Sequence, residues 1–213
     1  GLVGSEMCIR DSSCAKQLKV GVCRDRQCLF PKPCPNLDTD HSDYIALLQK
    51  VRALSGIKKV FVRSGIRYDY LLADKNDRFL DELCRYHVSG QLKVAPEHVA
   101  EHALANMGKP GKSVYLKFMR AFNKKNQEIG LKQFLVPYFI SSHPGCTLRD
   151  AVELSEFLRD IGHQPEQVQD FIPTPGSAST AMYYSGINPE TGKKVFVARN
   201  PHDKAMQLSL IHI

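Results

Sequence analysis

The chain has 213 residues, of which 43% are hydrophobic, enough for the core of one domain or of most of a larger one. The sequence contains no apolar run of the roughly 18 residues that a membrane span needs, which argues against a membrane protein. With 29 Lys and Arg against 22 Asp and Glu, the net charge is +7. This excess of basic side chains favours anionic partners such as nucleotides, phosphate esters or RNA. The alternative is that the basic side chains are simply solvated at the surface.

Both ends of the chain are interpreted as translated sequencing adapter. Residues 1–12 and 208–213 can be encoded by strings that are in part reverse complements and that resemble a transposon adapter used in library preparation. Under this interpretation Cys8 and His212 have no chemical role. The natural chain is then expected to be truncated at both ends here, and a signal peptide is not seen.

A cysteine-rich segment follows at 13–40. It carries Cys14, Cys23, Cys28 and Cys34 in the spacing C-x8-C-x4-C-x5-C. Thiolates grouped in this way can converge on Zn²⁺ or on an iron–sulfur cluster, which is the favoured interpretation. A disulfide framework and unlinked thiols are the alternatives, and the reducing cytoplasm expected for a chain without a secretory signal argues against disulfides.

Residues 41–173 alternate apolar strand patterns with helical patterns. Strands are predicted to start near Lys58, Gln91, Gln133 and Gln167, and Pro137 suggests a bulge in the third. Helices are predicted after the N-cap Asp40, over 78–88, 99–107 and 113–129, and after the N-cap Thr147. Repeated βα units indicate an α/β fold with a parallel sheet, and four strands are too few to close a barrel. Residues 174–207 change to a small, polar composition and are predicted to start a C-terminal extension.

Function in parallel βα folds is found at the carboxyl ends of the strands, which here are followed by residues 63–69, 95–98, 141–147 and 173–177. Arg63 and Arg67 could bind a carboxylate, and Glu97 could accept hydrogen bonds from ribose hydroxyls or an ammonium group. His98 and His143 could transfer protons. The alternatives are structural: Glu97 as a helix cap, Arg67 paired with its neighbour Asp69, and both histidines packed or solvated.

Two further features are interpreted as structural. Cys146 precedes a helix without an evident partner and is predicted to be a packing residue. The GKPGKS string at 108–113 lacks the G-x4-G-K-[ST] spacing of a P-loop and follows a helix, so it predicts a helix–turn–helix corner.

Several long strings closely resemble the YgiQ family of radical S-adenosylmethionine proteins, over residues 14–207. They are CRDRQCLFPKPCPNLDTDH, KKVFVRSGIRYD, LKVAPEHV, KPGKSVYLKF, FLVPYFISSHPGCT and TPGSASTAMYYSG. The resemblance implies the C-terminal portion of a partial, TIM-like (βα) barrel. It also implies an enzyme that uses a [4Fe-4S] cluster and S-adenosylmethionine, with a reductant supplying electrons, on an unknown substrate.

The resemblance also implies roles for individual residues. Ser64, Arg67, Glu97 and His98 would lie beside S-adenosylmethionine. Pro144 and Gly145 would shape the wall around its adenine.

The sequence departs from the family at the cluster motif. That motif is C-x3-C-x2-C, and no such spacing occurs here, so the primary cluster ligands are expected upstream. The four clustered cysteines resemble a second set in this family, suited to an auxiliary iron–sulfur cluster or to Zn²⁺. This chain is therefore not expected to cleave S-adenosylmethionine by itself.

A non-catalytic module is the competing hypothesis. The cysteine quartet and the positive charge would suit a zinc- or cluster-stabilised nucleic-acid-binding or scaffold protein. Aromatic residues make up only 8% of the chain, Trp is absent and no nucleic-acid-binding motif is visible, so nucleic acid is not the favoured partner.

Overall fold

A three-stranded parallel sheet organises the computed structural model, which describes residues 14–21, 23, 26–63, 65–165 and 168–211. The strands are β1 (Gln91–Glu97), β2 (Phe134–Ser141) and β3 (Val168–Asp170), in the spatial order β1-β2-β3. The chain is thus an α/β protein with a small open parallel sheet, as the alternating sequence pattern predicts. Ser64 and the interpreted adapter residues 1–12, 212 and 213 lie outside the described residues.

Helices precede, connect and follow the strands. In chain order they are α1 (Ala15–Val20), α2 (Ser42–Arg52), α3 (Tyr68–Ala73), α4 (Arg78–Glu82), α5 (Glu101–Met107), α6 (Lys112–Ile129), α7 (Leu148–Asp160), α8 (Ala178–Ser185) and α9 (Pro201–Ile211). A π-helical turn, Leu83–His87, continues α4 directly. Among the described residues, none of the helices has the length and apolar character needed to cross a membrane.

The register of the sheet is irregular next to Pro137, as predicted, but the extra residue lies in β1 and not in the strand that carries the proline. Gln91 of β1 pairs with Phe134 of β2, and the pairing stays in step as far as Val94 and Pro137. The next pair joins Glu97 to Phe139, so β1 contains an extra residue at this point. Pro137 has no amide hydrogen to give to the ladder, which is the physical reason for the predicted irregularity.

The main core lies between the sheet and the surrounding helices, both those before β1 and those after it. Helix α6 supplies Tyr115, Phe118 and Phe122, which are spaced at i, i+3 and i+7 and are buried on one face. They pack with other buried residues of the sheet and the neighbouring helices, among them Leu83, Leu92, Phe139 and Leu154. This helix–sheet core holds the carboxyl ends of the strands in place.

The predicted strand near Lys58 is wrong for the described structure. Residues 58–63 form no strand: the Val62 amide donates to the His87 carbonyl of the π-helical turn (2.9 Å). The isolated bridge to β1 is made by Ile66, beyond this segment, with Val94. Phe61, in the middle of this apolar run, is 45% exposed. A β-strand requires a continuous ladder, and this segment makes too few backbone hydrogen bonds to form one.

Helix starts and inner faces were predicted with small errors. Asp40 does accept hydrogen bonds from the amide and hydroxyl of Ser42 (2.9 and 2.6 Å), but the N-cap position itself is His41. Leu47 on α2 and Val152 on α7 belong to the helically spaced apolar residues that predict these helices, and both are exposed. Thr147 caps α7 as predicted, since its amide and hydroxyl both donate to Asp150 Oδ2 (2.7 Å each).

Candidate functional site

A cavity of about 1000 Å³ opens at the carboxyl ends of the three strands. Residues from six parts of the chain line it: the cysteine-rich segment, residues 65–69, the strand ends, the corner between α5 and α6, the 142–147 loop through His143, and the start of the C-terminal extension. This volume is at the upper end of the range for small-molecule sites. The position is the one expected for a binding site in a parallel βα fold.

Glu97 lies in the cavity wall at the end of β1. Its backbone has φ = +64°, a left-handed conformation that side chains with a Cβ seldom adopt. Its carboxylate Oε1 is 2.9 Å from the ammonium Nζ of Lys109, and both side chains are partly exposed to the cavity. Glu97 is therefore not simply a helix cap; it contributes a carboxylate paired with a lysine to the cavity.

The corner between α5 and α6 fixes Lys109 in place. Gly108 ends α5 in a left-handed conformation (φ = +64°), and the Lys109 amide donates to the Leu104 carbonyl (2.9 Å). At the other side, the Lys112 amide donates to Glu101 Oε1 (3.0 Å). The prediction of a helix–turn–helix corner is confirmed, and sequence reasoning missed that this corner carries the lysine that pairs with Glu97.

Arg67 also lines the cavity, but its guanidinium is paired locally. Its Nε lies 3.1 Å from Asp69 Oδ1 and its Nη2 lies 3.1 Å from Asp69 Oδ2, so the pair is bidentate. The Asp69 carboxylate is 8% exposed. This is the Arg67–Asp69 ion pair that the sequence suggested as the alternative to ligand binding. Arg63 is exposed and is not among the residues that line the cavity.

His98 follows β1 but is not one of the cavity-lining residues. Its ring is 2% exposed, and its Nδ1 accepts a hydrogen bond from the Ala100 amide (3.1 Å). Burial lowers the pKa of His98 to about 4. The ring is therefore neutral at pH 7 and serves, in this structure, to hold the start of α5.

Pro144 and Gly145 lie in the 142–147 loop, which connects β2 to α7. Neither is among the cavity-lining residues, although His143 beside them is. Gly145 has φ = +93°, and a Cβ there would lie 2.4 Å from Asn106 Nδ2. Glycine is thus required because the loop packs tightly against α5.

His143 is 4% exposed and makes a hydrogen bond through each ring nitrogen. Nδ1 lies 2.8 Å from the Pro144 carbonyl, and Nε2 lies 2.8 Å from Ser179 Oγ. A carbonyl only accepts, so Nδ1 carries the proton and Nε2 accepts from the Ser179 hydroxyl. Burial lowers the pKa of His143 to about 4, in agreement with this neutral form.

The four cysteines predicted to bind a metal lie along the cavity. All four of Cys14, Cys23, Cys28 and Cys34 line it, and the Cys34 amide donates to the Cys28 carbonyl (2.8 Å). Within the described part of the chain, no three His, Cys, Asp or Glu side chains approach closely enough to hold a metal ion. The metal site therefore stays a prediction. Cys146 is 1% exposed and burial raises the pKa of its thiol, which suits packing rather than reactivity.

The C-terminal extension is bound by hydrogen bonds to the 142–147 loop and to residues that line the cavity. Gln207 bonds to the Ser142 amide and the Cys146 carbonyl, and the Gly145 amide donates to the Phe196 carbonyl. Asn188 Nδ2 donates to Asn106 Oδ1 (3.1 Å), and Gln27 Nε2 donates to Glu190 Oε1 (3.1 Å). The sequence predicted the extension but gave no signal for these contacts.

Comparison with known proteins places the chain among homologues of unassigned function. Residues 166–213 match a family described as "Domain of unknown function (DUF3362)". The chain is 54% identical over 202 residues to a "UPF0313 protein" of Clostridium perfringens (strain ATCC 13124) and 53% identical over 202 residues to one of Clostridium botulinum (strain Loch Maree). Each alignment covers 95% of this chain, but only 30% and 31% of the respective relative. UPF0313 is the YgiQ family, so the chain is similar to proteins of that family; the names of these relatives do not specify a chemistry.

Proposed function

We propose that this chain is part of a radical S-adenosylmethionine enzyme and that the cavity at the strand ends is its cofactor and substrate site. The observation that carries the proposal is one cavity whose wall combines strand ends, the Glu97 carboxylate and four cysteines. The similarity to the YgiQ family supplies the class of chemistry. The proposed enzyme needs a reductant that supplies electrons and would act in the cytoplasm. Its substrate is unidentified.

The residues of the cavity fit S-adenosylmethionine in size and in polarity. A volume of about 1000 Å³ accommodates a nucleoside of this size together with a second ligand. Glu97 supplies an acceptor for ribose hydroxyls or an ammonium group. The cysteines, in contrast, are not gathered into a coordination shell in the described structure, so no step is derived through a metal at the quartet.

When bound, the cluster and S-adenosylmethionine would supply radical chemistry, and the chain's own task would be to bind, orient and exclude water. The Lys109 ammonium lies 2.9 Å from Glu97 Oε1 and holds that carboxylate oxygen in place. The second carboxylate oxygen is then available to a ligand in the cavity. Lys109 acts through Glu97 and is a positioning residue in this proposal.

The first prediction concerns this pair in the full-length protein, loaded with iron and sulfide under anaerobic conditions. Glu97→Gln is expected to weaken S-adenosylmethionine binding by about tenfold or more, because a hydrogen bond to a charged group is worth roughly 1.5–3 kcal/mol. Lys109→Met is expected to weaken it less, because the carboxylate remains but is no longer held. Isothermal titration calorimetry would measure both affinities.

Lys132→Met is the matched control, since Lys132 is exposed and is not among the residues that line the cavity. Unchanged affinity in Glu97→Gln would refute the role of Glu97. A loaded protein that releases no 5′-deoxyadenosine from S-adenosylmethionine in the presence of dithionite would refute the enzyme class itself. Iron, sulfide and zinc analysis of the same preparation, with and without Cys28→Ala and Cys34→Ala, tests the quartet.

A further inference from the structure

We propose that the C-terminal segment, which matches a domain of unknown function, clamps the 142–147 loop into the wall of the cavity, with Gln207 as its positioning residue. The role does not depend on which ligand the cavity takes. It assigns a task to the segment that neither the family description nor the names of the relatives provide.

Gln207 spans the loop from one end to the other. Its Oε1 accepts from the Ser142 amide at 3.2 Å, and its Nε2 donates to the Cys146 carbonyl at 3.1 Å. The side chain is 2% exposed, so water cannot replace these bonds without rearrangement. Both polar atoms of one amide are thus used on the backbone of a single loop.

The loop needs such support because its backbone is strained at its first residue. Ser142 has φ = +58°, a left-handed conformation for a residue with a Cβ. Strain of this kind persists only when the surrounding contacts enforce it. The bond from the Ser142 amide to Gln207 is one of those contacts.

Helix α9 presents Gln207 from a fixed position. Lys204, one turn before it, forms an ion pair with Asp170 at the end of β3 (2.9 Å). Lys204 and Gln207 are three residues apart and lie on the same face of the helix, so that face is attached to the sheet and to the loop together.

The clamp controls His143 through two more contacts. The Phe196 carbonyl accepts from the Gly145 amide at 2.7 Å, and Ser179 donates to His143 Nε2. His143 is the member of the loop that lines the cavity. Release of Gln207 would therefore free the ring from its buried position and change the cavity wall.

The test uses the full-length protein and two thiols as reporters. In Gln207→Leu, alkylation of Cys146 by iodoacetamide is expected to be at least tenfold faster than in the unmodified protein, because the loop around it opens. Cys84 is 0% exposed, makes its core contacts outside this loop, and should keep its slow rate. Gln127→Leu makes the same chemical change at an exposed position of α6 and should alter neither rate.

A second measurement distinguishes positioning from stability alone. Titration of the His143 ring by NMR is expected to show its pKa rising from about 4 toward 6.5 in Gln207→Leu, since the ring gains water. Equal acceleration at Cys146 and Cys84 would overturn the proposal, because it would report global destabilisation. Unchanged Cys146 reactivity and an unchanged His143 pKa would overturn it as well.

Gln207→Glu keeps the test decisive if Gln207→Leu does not fold. The carboxylate retains the acceptor for the Ser142 amide but loses the donor to the Cys146 carbonyl. The same selective exposure of Cys146 is expected, and its absence counts against the clamp. None of these measurements involves S-adenosylmethionine. The role of Gln207 is therefore tested independently of the proposed function.

Discussion

At the scale of single residues, two buried histidines stand out by their protonation state. His98 and His143 each have a pKa of about 4, and in both cases burial is the largest cause. Their hydrogen bonds require neutral rings: His98 accepts from an amide, and His143 accepts from a serine hydroxyl. Sequence reasoning considered both as proton-transfer groups, whereas the structure makes them neutral elements of two loops.

These histidines predict a loss of stability in mild acid. In the unfolded chain a histidine binds its proton near pH 6.5, but in the folded protein it does so only near pH 4. The free energy of unfolding therefore has its full value above about pH 6.5. It decreases as the pH falls toward 4, by about 3 kcal/mol for each ring. Urea unfolding at about pH 7.5, 6 and 5 measures this slope.

His143→Gln should reduce the dependence on pH, because one of the two rings is removed. His202→Gln is the matched control, since it makes the same substitution at a side chain that is 76% exposed. A stability that is equal at pH 7.5 and 5 would contradict the prediction.

At the scale of elements, glycines determine how closely the loops approach the strands. Gly65 has φ = +86°, and a Cβ there would lie 2.9 Å from the Lys93 carbonyl oxygen on β1. Gly56 has a similar φ of +83° with no atom within 4 Å of such a Cβ. The two positions share the backbone conformation and differ in the space around it.

The pair predicts unequal effects of the same substitution. Gly56→Ala is expected to cost about 1 kcal/mol of unfolding free energy, which is the penalty of the left-handed conformation. Gly65→Ala is expected to cost about 2–4 kcal/mol, because backbone must also move away from the new methyl group. Chemical denaturation of both variants measures the difference, and equal costs would show that the close approach to Lys93 is relieved easily.

At the scale of the whole molecule, residues 58–63 illustrate how a local pattern depends on its partners. The apolar run is predicted to be a strand, yet its Val62 amide bonds to the π-helical turn, and the isolated bridge to β1 is made by Ile66 beyond the run. Phe61 is left exposed. This chain spans about 30% of the length of the relatives it matches. A strand contributed by the remainder of a protein of that length could complete the ladder.

We therefore expect residues 58–63 to be more protected from amide hydrogen exchange in the full-length protein than in the 213-residue chain. Residues 91–97 are the internal reference, because β1 is already paired with β2 and should be protected in both. Mass spectrometry of exchanged peptides makes the comparison. Equal exchange of 58–63 in the two proteins would mean that the segment is a loop in both.

Much of the fold followed from sequence patterns whose causes are local. The 3.6-residue spacing of Tyr115, Phe118 and Phe122 predicts α6, and the Thr147 cap predicts the start of α7. Inner faces were less predictable, since Leu47 and Val152 are apolar residues on amphipathic helices that the core leaves exposed. Which apolar residue is buried depends on the neighbouring element and not on the helix alone.

By itself the sequence determined the alternation of strands and helices, the parallel sheet, the corner at 108–111 and the similarity to the YgiQ family, because each rests on local spacing or on long matching strings. Only the tertiary structure decided that Lys109 pairs with Glu97, that Arg67 is bound by Asp69, and that Gln207 holds the 142–147 loop. The physical reason is distance along the chain. Gln207 and Cys146 are 61 residues apart, and no local pattern encodes a hydrogen bond that exists only once the sheet and α9 have packed together.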